Sequence, residues 1–305
     1  MGRGSVRARE GTARRRARED GPRIEHWRPE GMEGLRVFRV EDMTGPLSSY
    51  SEYYGVVSIL QGACDGWCRG AVHTVAAGGL KLKEPGEVHR HVRVHAPVTL
   101  QGAAFTADVV EEAARTLGVP RPVHFVPVEP GRAPRAAALA TAMHAALAAR
   151  GPVTRELEAL VIETLTEVLA TCTERGEVRV HERAPRAVRR AREYLRAHVS
   201  EPVTLDALAA HAGADKFHLI RAFRAELGIP PYEYLTHLRV ARAAELLATG
   251  MTGAAAAHAV GLFDESQLHR HFRRILGVTP GRFARTMHRQ HRPSGARGSG
   301  LACPA

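Results

Sequence analysis

The residues best suited to chemistry sit in two copies of one pattern near the end of the chain. The first copy runs Leu208-Ala209-Ala210-His211-Ala212-Gly213, then Phe217, Leu219, Arg221, Phe223, Arg224, Leu227-Gly228 and Pro231. The second runs Ala256-Ala257-His258-Ala259-Val260-Gly261, then Leu268, Arg270, Phe272, Arg273, Leu276-Gly277 and Pro280. From the leucine onward the copies keep a constant offset of 49 residues, and the turn of the second is one residue longer. Each reads as a short helix, a glycine-containing turn and a second helix, the helix-turn-helix arrangement. In the first copy Leu219, Phe223 and Leu227 stand four residues apart and share an inward face, which leaves Lys216, Phe217, Ile220, Arg221 and Arg224 on the outer side. In the second, Leu268, Phe272 and Leu276 take the inward part, and Glu265, Ser266, Gln267, His269, Arg270, Arg273 and Arg274 are left outward. Outward Arg, Gln, Ser and His suit base edges and phosphates in a DNA major groove. Arg221 and Arg270, at matching positions, are the best candidates for base contacts, and Arg274 suits a phosphate. A plainer reading is a protein-interaction hairpin whose arginines form a solvated face. No phosphate-binding loop, nucleophile elbow or zinc-protease motif accompanies the repeat, so neither an enzyme nor a cofactor is expected.

Something rigid must hold the two copies in register. Tyr232–Thr249 reads as one helix with Leu235, Leu238, Ala241, Leu246 and Leu247 available for packing; at its length it spans about 27 Å, near the ~34 Å repeat of successive major grooves on one DNA face. Charge follows the same division. Of the 305 residues and net charge of +11, residues 185–292 hold seventeen Lys and Arg against nine acids, while residues 24–184 hold seventeen against twenty. A weakly acidic centre followed by a basic block fits a regulatory domain joined to one that binds a polyanion.

The rest of the chain divides by texture. Residues 1–30 are rich in Arg, Gly and Glu and poor in aliphatic side chains, and are expected to be a disordered basic arm. Residues 31–130 carry short β-like runs, Val56–Leu60, Ala71–Val75, Leu80–Leu82, Val98–Leu100 and Val123–Val126, separated by Gly, Pro and Asp turns, a spacing that suggests a sandwich or barrel. One helix is expected over Asp108–Leu117, capped by Asp108. Within 131–184 the period becomes helical. Leu139, Met143, Ala146 and Leu147 form one stripe; Leu157, Leu160, Val161, Leu165, Val168 and Leu169 form a second over Thr154–Thr171, and together they offer a dimer interface. Residues 175–185 read as a polar linker, 185–290 as the basic helical domain and 291–305 as a disordered tail. No apolar run approaches the ~20 residues that span a bilayer, and no apolar stretch follows the N-terminal arginines as in a secretory signal; a cytoplasmic protein is expected.

Residues 186–288 resemble the AraC/XylS-type DNA-binding domain. Leu208-Ala209, Gly213, Leu219, Arg221-Ala222-Phe223-Arg224 and Gly228-Ile229-Pro230-Pro231 are similar to its first unit, Leu238–Leu247 to its linking helix. Val260-Gly261-Leu262, Asp264, Ser266, Arg270-His271-Phe272-Arg273-Arg274, Gly277-Val278-Thr279-Pro280 and Phe283 are similar to its second. Leu262, Leu268 and Ala254–Ala257 depart from the usual pattern at packing positions. The β-rich part resembles the cupin-like sensor domain of the same family through Leu80–His89, which contains Pro85-Gly86-Glu87-Val88-His89. The resemblance implies an α+β protein: a cupin-like β-barrel with flanking helices, then an all-α domain with two helix-turn-helix units. It also implies a transcription regulator that binds double-stranded DNA, engages RNA polymerase, forms a homodimer and holds a small-molecule effector in the barrel. Trp67, His73, Glu87 and His89 are the candidate effector residues.

Two sharper readings compete with this one. His89, His91 and His95 suggest a metal-dependent cupin enzyme fused to a DNA-binding module, but no carboxylate follows the His-x-His pair at ligand spacing, so solvated histidines beside a turn are the simpler account and no metal is expected. Cys64 and Cys68 lack two further nearby ligands, since Cys172 and Cys303 lie far off in sequence; ordinary reduced thiols are expected.

Overall fold

The computed structural model describes residues 22–68, 70–128, 131–173 and 185–289. Its first part is an antiparallel sheet of β1 (Arg23–Trp27), β2 (Leu35–Met43), β3 (Ser48–Ser51), β4 (Tyr54–Cys68), β5 (Ala71–Ala76), β6 (Leu80–Lys83) and β7 (Glu87–Phe105). Three helices flank it: α1 (Ala107–Thr116), α2 (Pro134–Ala148) and α3 (Arg155–Thr171). The helical domain follows as α4 (Arg186–Ala197), α5 (Leu205–Ala212), α6 (Lys216–Leu227), α7 (Pro231–Ala248), α8 (Gly253–Ala259), α9 (Glu265–Leu276) and α10 (Pro280–Arg289).

The two long strands β4 and β7 run side by side and take different partners at their two ends. β2 pairs with the second half of β7 (Leu35 opposite Phe105) and β3 with its start (Ser48 opposite Arg90). β6 lies on the start of β4 (Gly55 opposite Lys83), β5 on its end (Cys68 opposite Ala71). Register shifts between Ile59 and Gly66 bend the β4–β7 pair. Gly62, with φ +83°, makes the bend possible, because a Cβ there would lie 2.1 Å from the Pro97 carbonyl oxygen. The sheet therefore curls until Ile24 of β1 and Val75 of β5 pack into one apolar cluster with Val40, Met43, Val57, Ile59, Val98 and Leu100. β1, β3, β5 and β6 remain as its edges.

The alternation of side chains assigns the two faces. On the convex face, Leu35, Val37, Tyr54, Val56, Ala103 and Phe105 pack against Val110, Ala140, Met143, Leu147, Leu165 and Val168 of α1, α2 and α3. Beyond the bend the same face carries Val88, whose side chain enters the core of the helical domain beside Leu195, Leu208, Leu219 and Phe223. The helical domain thus completes the covering that α2 and α3 begin.

Several sequence expectations need correction. The arm expected over 1–30 contains β1 at Arg23–Trp27, paired with β2 from Arg23 opposite Glu41 to Trp27 opposite Val37; residues 1–21 lie outside the described residues, as do all but the last residue of the linker expected at 175–185 and the tail at 291–305. Val123–Val126 is not a strand: Phe125 makes one isolated bridge to Thr173. Val98–Leu100 is a fragment of the nineteen-residue β7. Thr106, not Asp108, occupies the position before α1. Among the described residues, no helix is long and apolar enough to cross a membrane.

Candidate nucleic-acid interface

The first helix-turn-helix is α5 and α6, the second α8 and α9. Capping fixes where each helix starts. Thr204 accepts a hydrogen bond from the Ala207 N–H (3.2 Å) at α5, and Thr252 from the Ala255 N–H (3.3 Å) at α8. Asp215 accepts from the Phe217 and His218 N–H groups (2.9 and 3.2 Å) at α6. These bonds hold its carboxyl below the usual range. Asp264 accepts from the Gln267 N–H (2.6 Å) at α9.

The inward faces form as the spacing requires. Leu219, Phe223 and Leu227 are buried in the first unit, Leu268 and Phe272 in the second. In α9, however, Ile275 rather than Leu276 completes the buried row and Leu276 is only half-buried: from Leu268 the steps of four and then three follow a helix of 3.6 residues per turn more closely than two steps of four. Leu262 and Ala256–Ala257, which depart from the family pattern, are buried as packing residues.

The outer faces carry the predicted polar set. Arg221 and Arg224 are exposed on α6, as are Glu265, Ser266, His269, Arg270, Arg273 and Arg274 on α9. Phe217 is 64% exposed; Ile220 is half-buried. Two residues have other occupations. Lys216 pairs with Asp206 (3.0 Å) across the first turn, and Gln267 is half-buried with its side-chain oxygen accepting from the Phe263 N–H (2.8 Å). Gln267 therefore reinforces the start of α9, a role legible in the Asp-x-x-Gln spacing. Phe263, 84% exposed in the longer turn, was not singled out by the sequence pattern.

Helix α7 ties the units into one body. Tyr234, Leu235 and Leu238 belong to the first core and Val240, Ala243 and Leu247 to the second. Arg239 donates to the carbonyls of Val199 (2.9 Å) and Glu201 (2.7 Å), closing the α4–α5 connection against the strut. The turn of the second unit abuts the same connection: Gly261, with φ +74°, could carry no Cβ without approaching the Ser200 carbonyl oxygen to 2.3 Å.

Of the candidate effector residues, Glu87 and His89 come together, His89 Nε2 lying 3.1 Å from Glu87 Oε2. His73 sits opposite Gly66 on β5. Trp67 does not point into the sheet: it packs against Gly228 at the end of α6, under the Arg90 guanidinium 4.9 Å from its ring. The shifted register of β4 is what reverses its face. The reading of solvated histidines also fails for His89, which is 1% exposed and whose pKa burial lowers to about 4, leaving it neutral at pH 7. His95 is at the surface, 2.9 Å from Asp65. Cys64 and Cys172 are buried free thiols, raised by desolvation, whereas Cys303 and the Cys68 side chain lie outside the described residues. Among the described residues, no three His, Cys, Asp or Glu side chains gather as a metal site.

Comparison with known proteins agrees with this anatomy. A family model described as the AraC-like ligand binding domain matches residues 49–165, and one described as a helix-turn-helix domain matches residues 208–286. The chain belongs to the AraC family of helix-turn-helix DNA-binding regulators, with a ligand-binding domain ahead of the DNA-binding one. Over 91 residues it is 30% identical to the MmsAB operon regulatory protein of Pseudomonas aeruginosa, 30% of each chain. Over 88 residues it is 31% identical to the HTH-type transcriptional activator AarP of Providencia stuartii, covering 28% of this chain and 65% of that one. The match to the Pseudomonas protein thus spans under a third of that relative's length. The solved structure of apo ToxT from Vibrio cholerae is similar in fold across 85% of this chain and 100% of that one, with a TM-score of 0.54 at 9% identity. These relatives are named as regulators, and the reading as a cupin enzyme is not favoured.

Proposed function

We propose that the chain is a transcription regulator of the cytoplasm that reads a DNA operator with two helices at once and is controlled by a small molecule in its N-terminal sheet. The observation that carries this reading is the matched pair of exposed faces. Arg221 and Arg270 occupy equivalent positions on α6 and α9, each held by a buried Leu and Phe and by a capped helix start. Arg221, Arg224, Ser266, His269, Arg270 and Arg273 are the base- and phosphate-reaching set, and Arg274 neutralises phosphate. Lys216, Phe217, Ile220, Glu265 and Gln267 shape and orient the two helices. The outer face of α3, where Ile162 is exposed, supports a homodimer, and RNA polymerase is the partner through which binding becomes output.

The sheet and the DNA-binding domain are physically continuous, which supports ligand control. Gly86, in the turn before β7, accepts hydrogen bonds from Arg192 Nη2 (2.9 Å) and the Tyr234 hydroxyl (3.4 Å), and Arg196 donates to the Tyr50 hydroxyl (3.1 Å). His89, three residues beyond Gly86, lies in the effector region. A ligand that shifts the start of β7 therefore changes contacts to α4 and α7, and biases how both recognition helices are presented.

The test is binding of the full chain to DNA from its own upstream region against random competitor across a salt series. A specific complex with steep salt dependence is the expected result. Absence of binding at low salt would sink the reading and favour an interaction module.

A further inference from the structure

Beyond the bend, the concave face of the sheet changes character. Its floor is apolar from Val98 to Met43, but its other end is built from Lys81 and Lys83 of β6, Ser49 of β3, and Glu87, His89 and His91 of β7. The alternation that puts Leu80 and Leu82 on the convex face puts both lysines on this one. Lys83 Nζ is 3.2 Å from Ser49 Oγ and 5.3 Å over the Phe38 ring. Lys81 reaches across to β4, where Gly66 leaves it space; a Cβ there would lie 3.3 Å from Nζ. Both lysines act on His89 and His91, whose pKa values are lowered first by burial and then by these cations. His89 Nδ1 and His91 Nδ1 are buried with no hydrogen-bond partner.

Such a set is costly to bury without a function. Polar nitrogens that are cut off from water lose hydrogen bonds that folding does not return. With Glu87 as the one carboxylate among these side chains and both imidazoles neutral, the group carries a single net positive charge. His89 holds Glu87 through Nε2, so its Nδ1 is the lone-pair nitrogen, an acceptor that calls for a hydroxyl or N–H beside the charge.

We infer that this end of the concave face binds a small organic acid, one carboxylate against Lys81 and Lys83 with a hydrogen-bond donor of the same molecule against His89. The inference rests on the proposed effector role of the sheet and gives that effector a chemical class. A doubly charged phosphate matches the single net charge less well. An uncharged sugar leaves the ammonium groups without a counter-charge from the ligand.

The test uses small-molecule extracts of the organism that carries the gene, passed over an anion exchanger at pH 7, with the thermal midpoint of the full chain as readout. A ligand that binds only the native state raises that midpoint. The bound-and-eluted fraction is expected to raise it by several degrees, before and after phosphatase treatment, and the rise is expected to vanish in Lys81→Met and Lys83→Met. Methionine keeps the stem of either lysine, and each variant's own midpoint without extract shows that it folds. A rise from the flow-through alone would overturn the acid while leaving an effector in place, and a rise abolished by phosphatase would replace carboxylate with phosphate. A rise that survives both substitutions would overturn the site and point to the cleft of about 1050 Å³ walled by Arg23, Arg28, Arg150, Arg282 and Arg285. No rise from any fraction would overturn both the acid and the effector reading, even where specific DNA binding stands.

Discussion

The two helix-turn-helix units are alike in core and caps but differ in how they meet the sheet. The first shares its hydrophobic core with the sheet: Val88 and Tyr50 join it, Tyr50 meets Tyr234 edge-on with ring centroids 5.6 Å apart, and Trp67 covers Gly228. Arg192 and Arg196 add polar bonds to the same seam. Among the described residues, the second unit meets the sheet at its edge: His26 meets Phe283 at 5.3 Å, Leu47 sits over Gly277, and Ile24 joins both the second core and the apolar cluster of the concave face. The difference implies a division of labour. A change in the sheet reaches the first unit through a shared core along β3 and β7, and the second through the β1 edge and α7.

The sharpest way to break that symmetry is to hollow each core in turn. Phe223→Ala and Phe272→Ala remove equivalent, fully buried rings, and each is expected to cost about 3–5 kcal/mol of stability. Phe223→Ala should also loosen the sheet, because its ring packs on Tyr234, which holds Gly86. Hydrogen exchange of β3 and the start of β7 checks this: faster exchange is expected in Phe223→Ala and not in Phe272→Ala. Equal exchange in both variants would remove the distinction between a shared core and a rim.

Acid should attack the same seam. His237 of α7 lies 3.3 Å from Ser48 Oγ, and its pKa is lowered to about 4, chiefly by burial, with Arg274 and Arg90 adding to it. Released by unfolding, it regains an ordinary pKa near ~6.5. The unfolded chain then binds more protons between those values, so its contribution to stability is intact above about pH 6.5 and is lost as pH falls toward 4. His26, His89 and His144, also lowered to about 4, act in the same sense. Thermal midpoints from pH 7 to 4.5 should fall in the native chain and fall less in His237→Gln, which retains a partner for Ser48. An unchanged slope in that variant would show that the seam does not resist protonation.

On the DNA side, Arg221→Ala and Arg270→Ala are each expected to cost ~1–3 kcal/mol on the operator and to relax specificity over separate base pairs. Arg274→Ala should instead weaken all sequences alike and flatten the salt dependence. Titrations on operator and random DNA separate the two kinds of effect. Equal losses on both DNAs for Arg221→Ala would reassign it to the phosphate backbone.

The sequence made the helical domain readable because its signals are local. A 3.6-residue period, an Asp or Thr before each helix of the two units, Pro230-Pro231 at the start of the strut and a Gly after the turn locate the helices and most buried side chains without reference to distant residues. The sheet depends on pairing between residues far apart, and there the reading thinned. β7 is legible only in pieces, at Val98–Leu100 and around His89 and His91, because Arg, Pro and Gly interrupt its pattern, and β1 lies in an arginine-rich stretch that makes a strand only by pairing with β2. Plain alternation would turn Trp67 toward the sheet interior, and the irregularities between Ile59 and Gly66 reset it to the other face. Spacing of two puts Lys81 with Lys83 on one strand face and His89 with His91 on another, but nothing local shows that the two strands bring these faces together.

The smallest expected contrast lies in the caps of the recognition helices. Among the described residues, Asp215 is the side-chain acceptor at the start of α6 and takes both the Phe217 and His218 N–H groups. At α9 the work is divided, with Asp264 taking the Gln267 N–H while Gln267 itself takes the Phe263 N–H. Losing one acceptor therefore leaves more orphaned donors at α6 than at α9. Asp215→Ala should lower the thermal midpoint by a few degrees and Asp264→Ala by less, while Asp264→Ala combined with Gln267→Ala should bring the second unit level with the first. If Asp264→Ala alone matches Asp215→Ala, Gln267 is not sharing the cap, and its amide is free to serve as the base reader that its place on α9 first suggested.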